Sequence, residues 1–188
     1  LTDIEGRLYD ASGKKLKSVK KSEIQDYSDI GEGTFADDDR MKLHSFNYNG
    51  YPYTVEYEYE VSLKGLLYFP GWVPVAGSNY SVQESKLIVE CPKGYSLRYK
   101  AHNYNGSPVE SADKESKYYE WSVKNIPARE YLANSPPWYK ITPTVFLAPT
   151  EFEMEDYKGN MSSWQRFGKF ICDLNFGRDL LPEDIEQK

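Results

Sequence analysis

Histidine and cysteine are nearly missing from this chain, which holds two of each among 188 residues. That scarcity removes most of the side chains that carry acid–base and nucleophilic chemistry near neutral pH. His44 and His102 have no nucleophile or carboxylate nearby in sequence to complete a catalytic set, and both read as structural or exposed side chains. Cys91 and Cys172 form no C-x-x-C pair and flank no histidine at metal-ligand spacing, so zinc is not expected. Cys91 stands before Pro92 and reads as a small buried filler. Cys172 falls late in a helical stretch, where the dipole no longer favours a thiolate. Two free buried thiols are the simplest expectation, although an export compartment would permit a bridge. No apolar run is long enough to span a bilayer, and no basic stretch followed by an apolar one marks a signal peptide. A start at Leu1 rather than Met is what an excised or processed chain would show. Positive charge is in the minority too. The 23 Lys and Arg against 29 Asp and Glu give a net charge of −6, which argues against a surface that tracks nucleic-acid phosphates. The one basic run, Lys14 and Lys15 through Lys17 to Lys20 and Lys21, reads as a solvated hairpin arm rather than a polyanion site.

What the chain has in quantity is aromatic surface: 17 Tyr, 8 Phe and 4 Trp. These carry the packing, because each buries a large apolar area while Tyr and Trp keep a polar handle. From Tyr51 to Val61 the apolar side chains Tyr53, Val55, Tyr57, Tyr59 and Val61 alternate with Thr54, Glu56, Glu58 and Glu60, which predicts a half-buried strand with one acidic face. Tyr95, Leu97 and Tyr99 alternate with Ser96, Arg98 and Lys100, and Tyr119, Trp121 and Val123 with Glu120 and Ser122; both segments are predicted strands. Turn composition at Asp10–Gly13 joins two short strands. The Cys91–Gly94 and Asn103–Pro108 stretches are hairpins or loops. Thr144–Ala148 lacks alternation and reads as a strand buried on both faces. Only the C-terminal part changes period: Trp164, Phe167, Phe170, Ile171 and Leu174 recur at helical spacing after Ser162, with Gln165 as its capping-box partner. Asn175-Phe176-Gly177 stops that helix, and Leu180-Leu181-Pro182 is placed to start another turn. Many strands followed by one helix predict a mainly β, antiparallel sandwich with an appended element.

No complete active site is visible. The loop Asp37-Asp38-Asp39 supplies oxygens for a hard cation, but adjacent aspartates diverge along the backbone, so a solvated turn competes with calcium. Gly31-Glu32-Gly33 lacks the rest of a phosphate-loop fingerprint. Trp72, in Phe69-Pro70-Gly71-Trp72, and Trp138-Tyr139, after Pro136-Pro137, sit in proline-rich loops. Such rings either form a sugar-stacking platform or pin their loops to a neighbouring surface. Sequons at Asn79, Asn105 and Asn160 matter only in a glycosylating host. No cofactor is expected.

Taken in order, the segments YDASGKK, DYSDIGEGTFADDDR, NYNGYPYTVEYEYE, GLLYFPGW, VECPKGYSLRYK, WSVKNIPA and SPPWYKITP resemble a domain of unknown function that precedes transglutaminase-like domains in exported Gram-negative bacterial proteins. The closing stretch LAPTEFEMEDYKGNMSSWQRFGKFICDLNFGRDLLPE looks like the junction into the first helix of that cysteine-protease-like catalytic domain. The resemblance implies a β-sandwich or supersandwich similar to the saddle-shaped N-terminal domain of aminopeptidase-N-type enzymes. It implies an accessory domain over residues 1–157 and a helical junction over 158–188. It places the chain in the periplasm or cell envelope, as a non-catalytic module that packs against a downstream catalytic domain through Trp164 and Phe167. The catalytic Cys-His-Asp triad would follow Lys188, and no residue here matches its motif. The alternative is a glycan- or peptide-binding module anchored by Trp72, Trp138 and Tyr139, with calcium at Asp37–Asp39 as an accessory.

Overall fold

The computed structural model describes residues 3–28, 40–63, 67–131, 133–154 and 156–178. Among these residues it is mainly β, with several antiparallel sheets, two short 3-10 turns and one α-helix towards the C-terminus. The aspartate loop 37–39, the 31–33 glycines and the second helical start at 180–182 lie outside the described residues. Two compact units divide the chain, Leu1–Leu63 and Lys64–Lys188.

In the first unit the Asp10–Gly13 turn does what its composition predicts. The Asp10 carboxylate accepts the Ser12 and Lys14 N–H groups at 2.8 and 3.0 Å, and Gly13 takes φ +81°. The turn joins strand β1 (Asp3–Tyr9) to β2 (Lys15–Ser18). Strand β3 (Gln25–Ser28) pairs with β4 (Arg40–Leu43) as a separate ribbon. Strand β5 (Thr54–Glu60) pairs with β1 to complete a sheet of order β2-β1-β5. Its register sets Gly6 against Tyr57 and Leu8 against Val55, so these four share one face. A side chain at Gly6 would meet both the Tyr57 ring and Val19, so glycine here lets the ring lie across β1. The half-buried strand expected at 51–61 is corrected in two respects. It is shorter, and its apolar face stays open, with Val55 38% and Tyr59 68% exposed. Among the described residues of this unit only Gly6 and Leu8 are buried, because the ring contacts on Tyr57 come from just His44 and Phe46 rather than from a second sheet.

The second unit does have facing sheets. Strands β6 (Val82–Pro92), β8 (Val109–Ala112) and β9 (Ser116–Ile126) form one of order β6-β9-β8, while β7 (Arg98–His102) pairs with β10 (Thr144–Ala148). Cys91 from β6, Tyr119 and Trp121 from β9, Val145 from β10 and Leu97 before β7 meet in one core. Tyr95 and Leu97 were expected in the strand, but they precede it. Tyr95 N–H closes a turn onto the Pro92 carbonyl at 2.8 Å, which withdraws it from any ladder. Strand β10 is buried on both faces where it begins, at Thr144 and Val145, but the expected two-sided burial does not run its length, since Phe146, on the same face as Thr144, is 42% exposed.

A hairpin of β11 (Glu151–Met154) and β12 (Tyr157–Asn160) then leads into helix α1 (Trp164–Asn175). Phe152 lies opposite Gly159, and a side chain at that glycine would run into its ring. The same Phe152 ring meets Phe170 of α1 edge-on at 4.8 Å. The helix starts one residue later than its sequence suggested. Ser163 is the N-cap and accepts the Arg166 N–H at 3.3 Å, whereas the Ser162 N–H is held by Asn160, so no box with Gln165 forms. At the other end Gly177 adopts φ +71°, as the predicted stop requires.

Candidate functional site

Helix α1 is amphipathic because its apolar residues recur at three and four positions. Phe170 is buried, and Phe167 and Leu174 are half-buried beside it on the same stripe. Between the helix and the β11–β12 hairpin runs an open groove of about 1340 Å³. Phe152 and Phe170 line it, together with Glu151, Glu153, Lys158 and Arg166, so its charge is mixed. Lys169 and Asp173, one turn apart, pair at 2.8 Å. Away from the hairpin the helix presents Trp164, 85% exposed, with Ile171 and the following Phe176, 89% exposed. Trp164 touches only the edge of Phe167 among aromatic rings, at 6.5 Å. Apolar rings this bare, carried on a capped helix, are the surface most in need of a partner in the second unit.

The loop tryptophans lie elsewhere and are held differently. Trp72 is half-buried against the core; its backbone bridges to Val145 in both directions and its indole N–H donates to Ser85 Oγ at 3.0 Å. Trp138 opens a single 3-10 turn and donates its indole N–H to the Val75 carbonyl at 3.2 Å, with Tyr131 tilted against its ring. Tyr139 joins His102 and Phe146 in a three-ring cluster with centroids 5.6 to 6.0 Å apart. Sequence spacing gave no sign of that cluster, since its members come from a 3-10 turn and two paired strands. Asn103 fixes the turn beneath it by donating to the Tyr139 and Thr142 carbonyls.

The remaining chemistry-bearing groups do not converge. His44 Nδ1 and the Tyr57 hydroxyl share a hydrogen bond of 2.6 Å, and burial pushes that phenol up from its ordinary value. Cys91 is buried, which raises its thiol pKa and makes it a poor nucleophile. Cys172 is exposed, which corrects the expectation of two buried thiols: the α1 stripe facing the hairpin is filled by Phe167, Phe170 and Leu174, and position 172 falls off it. The acidic face of β5 holds one strong cluster. Glu56 accepts the Tyr9 hydroxyl at 2.8 Å and Arg7 at 3.2 Å, and these two donors hold its carboxyl below the usual range. Among the described residues no three His, Cys, Asp or Glu side chains are grouped to hold a metal. No helix there is long and apolar enough to cross a membrane.

The family model described as "Domain of Unknown Function with solved-structure structure (DUF3857)" matches residues 1–130. The chain belongs to the DUF3857 family. The DUF3857 match takes in the whole first unit and the second as far as β9. It leaves outside Trp138, Tyr139, β10, the hairpin and α1, so part of the core around Val145 and the entire groove are built from sequence beyond the matched stretch. No curated protein and no solved structure matches this DUF3857 chain.

Proposed function

We propose that this chain is a non-catalytic accessory domain of an exported, cell-envelope transglutaminase-like protein, and that it packs against a downstream catalytic domain and shapes access to it. The domain would be similar in fold to the saddle-shaped N-terminal domain of aminopeptidase-N-type enzymes, and α1 would be the first element of the catalytic neighbour, with the boundary near 157/158. The observation that carries the reading is the bare outer face of α1. Trp164 and Phe176 are almost fully exposed while Phe170, on the other side of the helix, is buried against Phe152. A partner that closes over Trp164 removes a large ring from water, and such central aromatics dominate interface energetics. The alternative of a glycan module anchored by Trp72, Trp138 and Tyr139 has less support, because both indole N–H groups are already spent on protein acceptors.

Hydrogen exchange on the chain, alone and joined to the polypeptide that its gene encodes after Lys188, tests the proposal. Protection of residues 164–176 should rise in the joined form, and Trp164→Ala should abolish much of the gain. Unchanged exchange across α1, or a gene that stops at Lys188, would remove the reading.

A further inference from the structure

From Leu43 through Val55 the chain carries no Asp, Glu, Lys or Arg, although charged residues make up 28% of the whole. The stretch is instead Ser, Asn, Gly and Tyr interleaved, the composition that recognition loops use: rigid amphipathic rings for contact area, small amides and hydroxyls for adaptable hydrogen bonds. The rings are not scattered. Tyr48 lies over Gly50 so closely that a Cβ there would stand 2.6 Å from its hydroxyl oxygen. Tyr48 meets Tyr53 edge-on at 5.8 Å, and Tyr53 meets Tyr51 at 5.4 Å, tilted by 47°. Tyr51, at the end of this series, is 80% exposed. The Asn47 and Asn49 side chains are exposed and have no hydrogen-bond partner among the described residues.

We propose that Tyr48, Tyr51 and Tyr53, with the amides of Asn47 and Asn49, form a binding site for a neutral oligosaccharide. Three features select that class. The absence of formal charge leaves nothing to balance an anionic or cationic ligand. A bare phenol ring offers a flat apolar face to the C–H face of a pyranose while its hydroxyl stays wet. Free carboxamides present a donor and an acceptor side by side, the spacing that adjacent sugar hydroxyls need. A proline-rich peptide is the competing occupant. It asks for parallel aromatic ridges, whereas the Tyr48 and Tyr53 planes stand at 89°. The site is built wholly from residues of the first unit and none of α1, so it stands whether or not the accessory-domain reading survives.

Calorimetry and saturation-transfer NMR on the full chain with cellohexaose, maltohexaose, laminarihexaose and mannohexaose test the proposal, with a deca-proline peptide as the rival probe. At least one hexaose should bind, with its strongest saturation on C–H protons. Tyr51→Ala should weaken it by about tenfold or more. Gly50→Ala, which deletes no ring but displaces Tyr48, should weaken it as well, and Tyr80→Ala in the second unit should not. Hydrogen exchange in β1 reports that each variant is folded. The proposal is overturned if no hexaose binds, if Tyr51→Ala binds as well as the parent, or if deca-proline binds in their place.

Discussion

In the second unit Trp121 and Val145 are sealed from water, with Tyr119, Leu97 and Cys91 around them, whereas in the first unit the matching alternation on β5 leaves Val55, Tyr57 and Tyr59 open. Both strands read the same way in sequence, large apolar side chains on even steps and polar ones between. What separates them is the opposing layer. The apolar face of β9 meets β10 across a shared core, while that of β5 shares its sheet face with Gly6 and Leu8 and is touched by two rings from the segment before it. Period two therefore states which side chains share a face, not whether anything covers the face. Tyrosine makes the open version tolerable, since its ring is apolar but its hydroxyl is content in water.

Truncating the best-covered residue breaks this comparison most severely. Trp121→Ala should destabilise the second unit by about 3–5 kcal/mol, the usual cost of deleting a fully buried aromatic. Trp121→Phe should cost far less, because the indole N–H is buried without a partner and its loss relieves about 1–3 kcal/mol of desolvation. Urea unfolding followed by near-ultraviolet circular dichroism reads both. A Trp121→Ala cost under about 1 kcal/mol would mean that the two units are equally open after all.

Local features were legible in sequence where the physics is local. The Asp10–Gly13 turn and the glycine stop of α1 follow from side chains acting on their own backbone, and the strand at Tyr119–Val123 was legible too, although β9 runs further at both ends. The helix cap moved by one residue, because Asn160 competes for Ser162. Features that need a distant partner were not legible. Val145 is buried by β9 and by Trp72, which bridges to it from far along the chain, and no periodicity in TVFLA announces that Phe146 will be left out. The candidate surface divides in the same way. The apolar stripe of α1 was readable, and which part of it Phe152 would cover was not. Tyr139 was singled out as a loop ring, but its neighbours His102 and Phe146 come from paired strands.

A paired truncation in the first unit sharpens the contrast at smaller scale. Leu8→Ala should cost about 2–3 kcal/mol, because Leu8 is the one large side chain buried there among the described residues. Val55→Ala, directly opposite in the ladder, should cost about 1 kcal/mol or less, since it is already partly in water. Hydrogen exchange of β1 amides in the two variants separates them. Equal losses would show that the face is covered from elsewhere.

The smallest effect comes from a device the two units share. Asp113, in the β8–β9 turn, accepts the Ser116 and Glu115 N–H groups at 2.7 and 2.9 Å and the Tyr118 hydroxyl at 2.9 Å, and these bonds hold its carboxyl below the ordinary range. Asp10 is lowered in the same direction by the Ser12 hydroxyl, then by the Lys14 N–H. A carboxyl whose folded value is depressed contributes stability that is present above its unfolded value and is lost as pH falls through the folded one. Both turns should therefore keep their amide protection at neutral and mildly acidic pH and lose it only below the usual carboxylate range. Both aspartates are solvated, so the loss should appear in the turn amides and not as global unfolding. Carboxyl chemical shifts measured against pH give the two midpoints, and Asp113→Asn should flatten the acid response of the β8–β9 turn alone. Because each bond lies within its own turn, the two midpoints should fall on the same side of the ordinary value whatever the difference between the cores. A normal midpoint at Asp10 beside a depressed one at Asp113 would show that even these local turns depend on the packing beneath them.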